Sequence, residues 1–365
     1  MGTNQNLKRI WKKLNTTLKS LLNLMNEAYS FDDVLIVPQY SEISSRSECD
    51  ISPSLPGMPY MRIPIFAANM DTVCELDMAI KMSRLGGVGI IHRYMSVEKL
   101  GGLMDDFWKK QHHLTVAVGC LKKDKERIDF VEEIEAHTPS GCSISICVDI
   151  AHGDSKNMTD TIKYIRDKNF LGTIIAGNVC TYEGASRLFD SGADIVKVGV
   201  GPGSVCSTRI KTGCGYPQLS AIKECAEAGI IIADGGIRTP GDAAKAIAVG
   251  ADAVMLGGML AGTDCVPGYR FARTNNKETI SFRGMASWEA RADFGGESNN
   301  AEGVSVAAKL QPRGSTRKVI EDLVEGIKSA MSYSGTRTIP EFQLKNKMAR
   351  VSSATIMENH PHKSL

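Results

Sequence analysis

Cys206 stands in the run Gly199-Val200-Gly201-Pro202-Gly203-Ser204-Val205-Cys206-Ser207-Thr208-Arg209, which holds three glycines, a proline and three hydroxyl side chains. Most cysteines are buried small hydrophobes, and by that rule Cys49, Cys74, Cys142, Cys147, Cys180, Cys214, Cys225 and Cys265 are structural. Cys206 differs because hydroxyls and glycines surround it. A thiol delivered on such a loop can reach bound substrate as a nucleophile. Two further stretches, Asp234-Gly235-Gly236 and Gly257-Gly258, offer backbone N–H groups to an anion such as phosphate. Glycine suits that task because a side chain would hold the main chain away from the anion. One such pair alone merely turns the chain as often as not, but two pairs in succession favour the phosphate reading. Asp234 is then placed to accept hydrogen bonds from ribose hydroxyls.

These residues need a scaffold that brings them to one edge. Short apolar runs recur at Ile63–Ala68, Val88–Ile91, Leu114–Val118, Ile144–Val148, Thr173–Ala176, Ile195–Val198, Ile230–Ala233 and Ala253–Leu256. They lack polar alternation, as parallel strands covered on both faces do. Segments such as Glu75–Leu85, Val97–Lys110, Lys125–Ala136, Tyr182–Ser191 and Pro240–Val249 carry helical periodicity between them. Eight strand-helix repeats predict a (β/α)8 TIM barrel, with a doubly wound open sheet as the alternative. The runs are followed in order by Asn69-Met70-Asp71, His92-Arg93, Gly119-Cys120, Asp149, Gly177-Asn178, the Gly199–Cys206 loop, Asp234-Gly235-Gly236 and Gly257-Gly258. A barrel gathers these strand ends at one rim, where its ligands bind.

Composition excludes several classes. A formal charge of +2 from 43 basic and 41 acidic residues creates no field that would make nucleic acid or a membrane surface the main partner. No run approaches the roughly 20 apolar residues of a membrane helix. The ten cysteines form no C-x-x-C pair, and no secretory signal opens the chain, so reduced thiols in a cytoplasmic setting are expected.

Three regions follow. Residues 1–28 form an extension in which Lys8, Arg9, Lys12, Lys13 and Lys19 alternate with Leu7, Ile10, Trp11, Leu14, Leu18, Leu21 and Leu22. That is a basic amphipathic helix pattern, suited to packing on a neighbour and also to a transit or interfacial segment. Residues 29–340 are expected to form the barrel domain, including a flap at 270–315, and residues 341–365 a tail. The last residues, His362-Lys363-Ser364-Leu365, match a peroxisomal tripeptide only in scrambled order.

The run Lys197–Arg209 resembles the active-site loop of the IMP dehydrogenase and GMP reductase family, and the resemblance covers roughly residues 29–335. Several features resemble the reductase branch: Lys211–Ser220 after the loop, Ser45-Arg46-Ser47-Glu48, Asp149–Gly153 and Leu256–Gly262. The dehydrogenases usually insert CBS modules after the second strand, and the short stretch from His92 to Leu114 leaves no room for them. They also hydrolyse a covalent purinyl intermediate with an Arg-Tyr pair on a mobile flap, whereas this chain reads Trp288-Glu289-Ala290-Arg291-Ala292-Asp293-Phe294-Gly295-Gly296 there.

The resemblance implies NADPH-dependent reductive deamination of GMP to IMP and ammonia, with Cys206 as nucleophile and Thr208 with Glu302 as a proton relay. It implies substrate contacts from Met70, Ser204, Asp234, Gly235, Gly236, Gly257, Gly258 and the segment Arg283-Gly284-Met285-Ala286-Ser287. It implies a nicotinamide site at Asp149, Ile150 and Ala151, with Arg93 near the cofactor and Ser45-Arg46 reaching a neighbouring subunit's cofactor in a homotetramer. Carbonyls of Gly201, Gly203 and Cys206, with Arg209, match a monovalent-cation site, most often for potassium. Each role has a plainer alternative: Asp149 as a loop cap and Glu302 as a solvated turn residue. Ser207, Ala286 and Asn299 depart from the reductase pattern, and the tail Arg350–Ala354 and Glu358–His362 resembles a dehydrogenase ending. Three functions therefore compete: the reductase, a short IMP dehydrogenase using NAD, and a nucleotide-binding protein of this fold without turnover.

Overall fold

The computed structural model describes residues 27–269, 279–294 and 307–359. Eight of its strands close a parallel barrel: β2 (Ile65–Ala67), β3 (Val88–Ile91), β4 (His113–Val118), β5 (Ser143–Asp149), β6 (Ile174–Val179), β7 (Ile195–Val198), β8 (Ile231–Asp234) and β9 (Ala253–Leu256). β9 pairs back onto β2 in the register Phe66↔Met255, so the barrel has no open edge and the doubly wound alternative falls. Each apolar run of the sequence lies on one of these strands. The differences are at the ends, where β5 runs on to Asp149 and β6 to Val179, past Asn178.

Packing explains why those runs carry no polar alternation. Phe66, Ile90, Ala117, Cys147, Ile175, Ile195, Ile232 and Met255 point into the barrel and form one cluster, closed off with Leu55 and Met61. The opposite faces of the strands, such as Val116, Val148, Val196 and Val254, pack under the surrounding helices in the larger core. The expected helices appear as Leu76–Leu85, Val97–Trp108, Asp124–His137, Tyr182–Asp190 and Pro240–Ala248, joined by Lys156–Asp167, Gln218–Ala226 and Thr316–Tyr333. Side-chain oxygens set several starts: Ser96 accepts from Lys99 N–H, Thr181 from Gly184 N–H and Thr239 from Asp242 N–H.

Two antiparallel pairs lie outside the barrel. β1 (Val34–Ile36) pairs with β12 (Met348–Arg350), and the helix Ile339–Lys345 precedes β12, so chain beyond residue 340 folds back onto the N-terminal strand. β10 (Ile280–Arg283) pairs with β11 (Ala307–Leu310) and forms an arm beside the rim. Among the described residues, no helix is long and apolar enough to cross a membrane. The basic pattern at 1–26 and the final six residues lie outside the described residues.

Candidate active site

The C-terminal ends of the barrel strands surround a cavity of about 910 Å³. Small-molecule sites run from roughly 300 to 1,000 Å³, so this cavity stands at the upper end and has room for a nucleotide beside a second ligand. Of the residues singled out from sequence, Met70, Arg93, Asp149, Ile150, Ala151, Gly201, Gly203, Ser204, Cys206, Thr208, Asp234, Gly235, Gly236, Gly257, Gly258, Gly284, Met285 and Ala286 line it.

The thiol reaches the cavity through local geometry. The Cys206 N–H donates to the Gly203 carbonyl at 3.0 Å, closing a turn, and Thr208 then opens the helix Thr208–Thr212. Cys206 Sγ lies 3.1 Å from Thr208 Oγ1. The two diglycine turns frame this loop closely. Gly235 has φ +95°, and a Cβ there would meet Pro202 Cγ at 3.0 Å; a Cβ on Gly258 would lie 2.7 Å from Ser204 Oγ. A side chain at Gly235 would strain a left-handed backbone and crowd Pro202 and Gly203, and one at Gly258 would force the Ser204 hydroxyl to move.

The floor is a charged network that the sequence did not suggest. Lys197 sits in the otherwise apolar β7 with its side chain 1 % exposed. Its ammonium contacts Asp149 and lies 3.4 Å from Asp234 Oδ2 and 3.5 Å from Asn69 Oδ1. Burial works to raise the Asp149 pKa, but the Lys197 charge and hydrogen bond overcome it and hold the carboxylate below its ordinary range. Burial likewise opposes the Lys197 charge, and the neighbouring carboxylates outweigh it and raise its pKa. Asn178 Nδ2 donates to Asp234 Oδ2 and to the Gly199 carbonyl, both at 2.9 Å, fixing the Asp234 rotamer. The one signal for Lys197 was a lysine inside a buried apolar strand.

The arm closes the side. Tyr94 stacks on Phe294 at 5.0 Å between centroids, and its hydroxyl donates to the Met285 carbonyl at 2.7 Å. Arg93 also lines the cavity, its guanidinium over the Tyr94 ring at 4.9 Å and its Nε buried without a hydrogen-bond partner among the described residues.

Other expected residues are held elsewhere. Arg283 does not line the cavity: its guanidinium bridges Asp71, at 2.6 Å, to Asp293, also at 2.6 Å, tying the arm to the rim. Ser287 is fully buried as the cap of the helix Trp288–Asp293, accepting from Ala290 N–H at 3.2 Å. Ser45 caps the 3-10 turn Arg46–Glu48, and Arg46 reaches Glu325 at 3.9 Å on the exterior. Arg209 turns its side chain to the carbonyls of Val200 and Tyr216. Glu302 and Asn299 lie outside the described residues. Cys214 is exposed, which corrects the expectation that it is a buried structural thiol. Cys120, partly buried on the cavity wall, has its thiol pushed up to about 11 by burial.

A parallel barrel with its ligand cavity at the C-terminal rim, two diglycine turns and a thiol on the loop packed against them has the architecture of the (β/α)8-barrel nucleotide enzymes. The family model of the IMP dehydrogenase / GMP reductase domain matches residues 28–362. GMP reductase of Yersinia enterocolitica is 40% identical over 88% of this chain and 94% of its own length, and that of Shewanella halifaxensis is 39% identical over the same shares. A GMP reductase variant from Trypanosoma brucei, solved in complex with guanosine 5'-monophosphate, superposes with a TM-score of 0.81 at 27% identity, covering 94% of this chain and 99% of that one. The chain belongs to the IMP dehydrogenase / GMP reductase family.

Proposed function

We propose that the protein is an NADPH-dependent GMP reductase, converting GMP to IMP and ammonia. The observation that carries this reading is the Cys206 thiol, 3.1 Å from the Thr208 hydroxyl, on a loop packed between Gly235 and Gly258 in a single cavity. The phosphate is held at Gly235-Gly236 and Gly257-Gly258, and Asp234 accepts the ribose hydroxyls. Met70, Ser204 and the main chain of Gly284–Ala286 border the base. Cys206, as thiolate, attacks carbon-2 of guanine; Thr208 with Glu302 passes a proton to the departing amino group, which leaves as ammonia. The carbon–sulfur bond then breaks as carbon-2 is reduced, and the thiolate returns.

NADPH, when bound, supplies the hydride that carbon-2 receives. The residues present fit it: the cavity measures about 910 Å³, and the cationic Arg93 lines it together with Asp149, Ile150 and Ala151. Arg283 and Ser287 support this site through the arm's position. The carbonyls of Gly201, Gly203, Cys206 and Arg209 are neutral oxygen donors with spare lone pairs, a set suited to a potassium ion. Ser45 and Arg46, exposed on the outside, suit contact with a neighbouring subunit's cofactor in a homotetramer working in the cytoplasm.

Nicotinamide absorbance separates the functions. NADPH consumption with GMP alone supports the reductase. NADH formation from IMP and NAD overturns it in favour of the dehydrogenase, and nucleotide binding without either reaction assigns a non-catalytic role.

A further inference from the structure

Arg313 lies just past β11, where the arm rejoins the barrel, and it lines the cavity. Its backbone is welded to the loop that follows the second diglycine turn. The Arg313 N–H donates to the Gly262 carbonyl at 2.7 Å, and the Asp264 N–H donates to the Gly314 carbonyl at 2.7 Å. Thr316 then binds Asp264 Oδ1 through its N–H at 2.9 Å and its hydroxyl at 2.7 Å. The side chain runs over Gly262, and Nη1 donates to the Gly258 carbonyl at 2.8 Å.

The charge environment sets this arginine apart from the other cations near the diglycine turns. Arg238, two residues after Gly236, is engaged by both oxygens of Asp32 and by Asp242. Lys197 is engaged by Asp149 and Asp234. Among the described residues, no carboxylate lies within ion-pair distance of Arg313, and its side chain uses one donor, on a neutral carbonyl. A guanidinium has five N–H donors in a planar fork that matches a phosphate in two-point contact. Fixed backbone, uncompensated charge and spare donors thus meet at Gly258.

We propose that Arg313 is a specificity-determining residue: its free N–H groups grip the terminal phosphate monoester of the substrate, selecting nucleotide over nucleoside. The inference rests on the reading of Gly257-Gly258 as a phosphate cradle.

Calorimetric titration of the full-length wild type, R313Q and R313K with GMP and with guanosine tests this. Loss of a charge-assisted contact to phosphate predicts about tenfold or greater weakening of GMP binding in R313Q. R313K should recover part of it, with guanosine affinity equal in all three proteins. Unchanged GMP affinity in R313Q overturns the proposal, as does guanosine weakening in step with GMP, which would mark a structural role. The wild type supplies an independent check by phenylglyoxal labelling read by mass spectrometry: GMP and inorganic phosphate should protect Arg313 and guanosine should not. Equal labelling under all conditions overturns the proposal even if R313Q fails to fold. A wild type that binds guanosine as tightly as GMP removes the phosphate reading of the cradle itself, and the Arg313 assignment with it.

Discussion

The Cys206 sulfur and the Thr208 hydroxyl lie 3.1 Å apart at the start of the helix Thr208–Thr212. Two residues of spacing suffice because the turn closed by the Cys206 N–H brings the thiol to the helix entrance. In the proposed reaction this contact pairs the nucleophile with a proton-handling group.

Replacing the proposed nucleophile should separate binding from chemistry. Cys206→Ala is expected to lower turnover of GMP by at least about a thousandfold while calorimetry still detects GMP binding. Substantial residual turnover would place the nucleophile elsewhere.

Thr208 acts on the leaving group in this scheme. Thr208→Val should reduce kcat by roughly 10²–10⁴, and Thr208→Ser should restore most of it because the hydroxyl returns. Equal activity of the valine and serine variants, measured by NADPH consumption, would remove Thr208 from proton transfer.

Lys197 holds two carboxylates at the cavity floor. Lys197→Met leaves buried charge without its partner, which costs roughly 3–5 kcal/mol. In the wild type the Asp149 pKa is depressed, so its contribution is present above about pH 4 and is lost as pH falls through the lower folded value. In the variant, burial acts unopposed by Lys197 and raises the Asp149 pKa, so the deficit should be largest near neutral pH and shrink on acidification. Thermal melts from pH 8 to 5 check this, and a deficit independent of pH would contradict it.

His113 begins β4, with Nδ1 2.7 Å from Ser143 Oγ. Burial pushes its pKa down to about 4. Because the unfolded chain takes up this proton near pH 6.5, the neutral imidazole's contribution is complete above that pH. It declines as pH falls toward about 4, by roughly 3 kcal/mol. His113→Asn should flatten that part of the stability profile in denaturant titrations at pH 7, 5.5 and 4.5; parallel profiles for the two proteins would refute it.

The site was legible to the extent that main chain and rim position define it. Gly235, Gly258, Cys206 and Asp234 follow apolar runs, and a strand's end can be read wherever Val and Ile give way to Gly, Asp or Asn. Side-chain direction was not legible. Nothing local distinguishes Arg283, bound to Asp71 across 212 positions, from Arg313, which faces the cavity. The resemblance implies a substrate contact for Ser287 as part of the segment Arg283–Ser287, whereas its side chain caps the helix Trp288–Asp293, an orientation that depends on the helix that follows.

The sequence by itself determined the eight buried strands, through uninterrupted apolar runs that only a two-sided core tolerates, and the glycine-framed thiol on the loop after β7. Tertiary structure alone decided barrel closure, because β2 and β9 meet in register across nearly the whole barrel sequence. It alone also decided that Lys197 is a counter-charge for Asp149 and Asp234, because residues far apart in the chain become neighbours only when their strands share one rim and water is excluded between them.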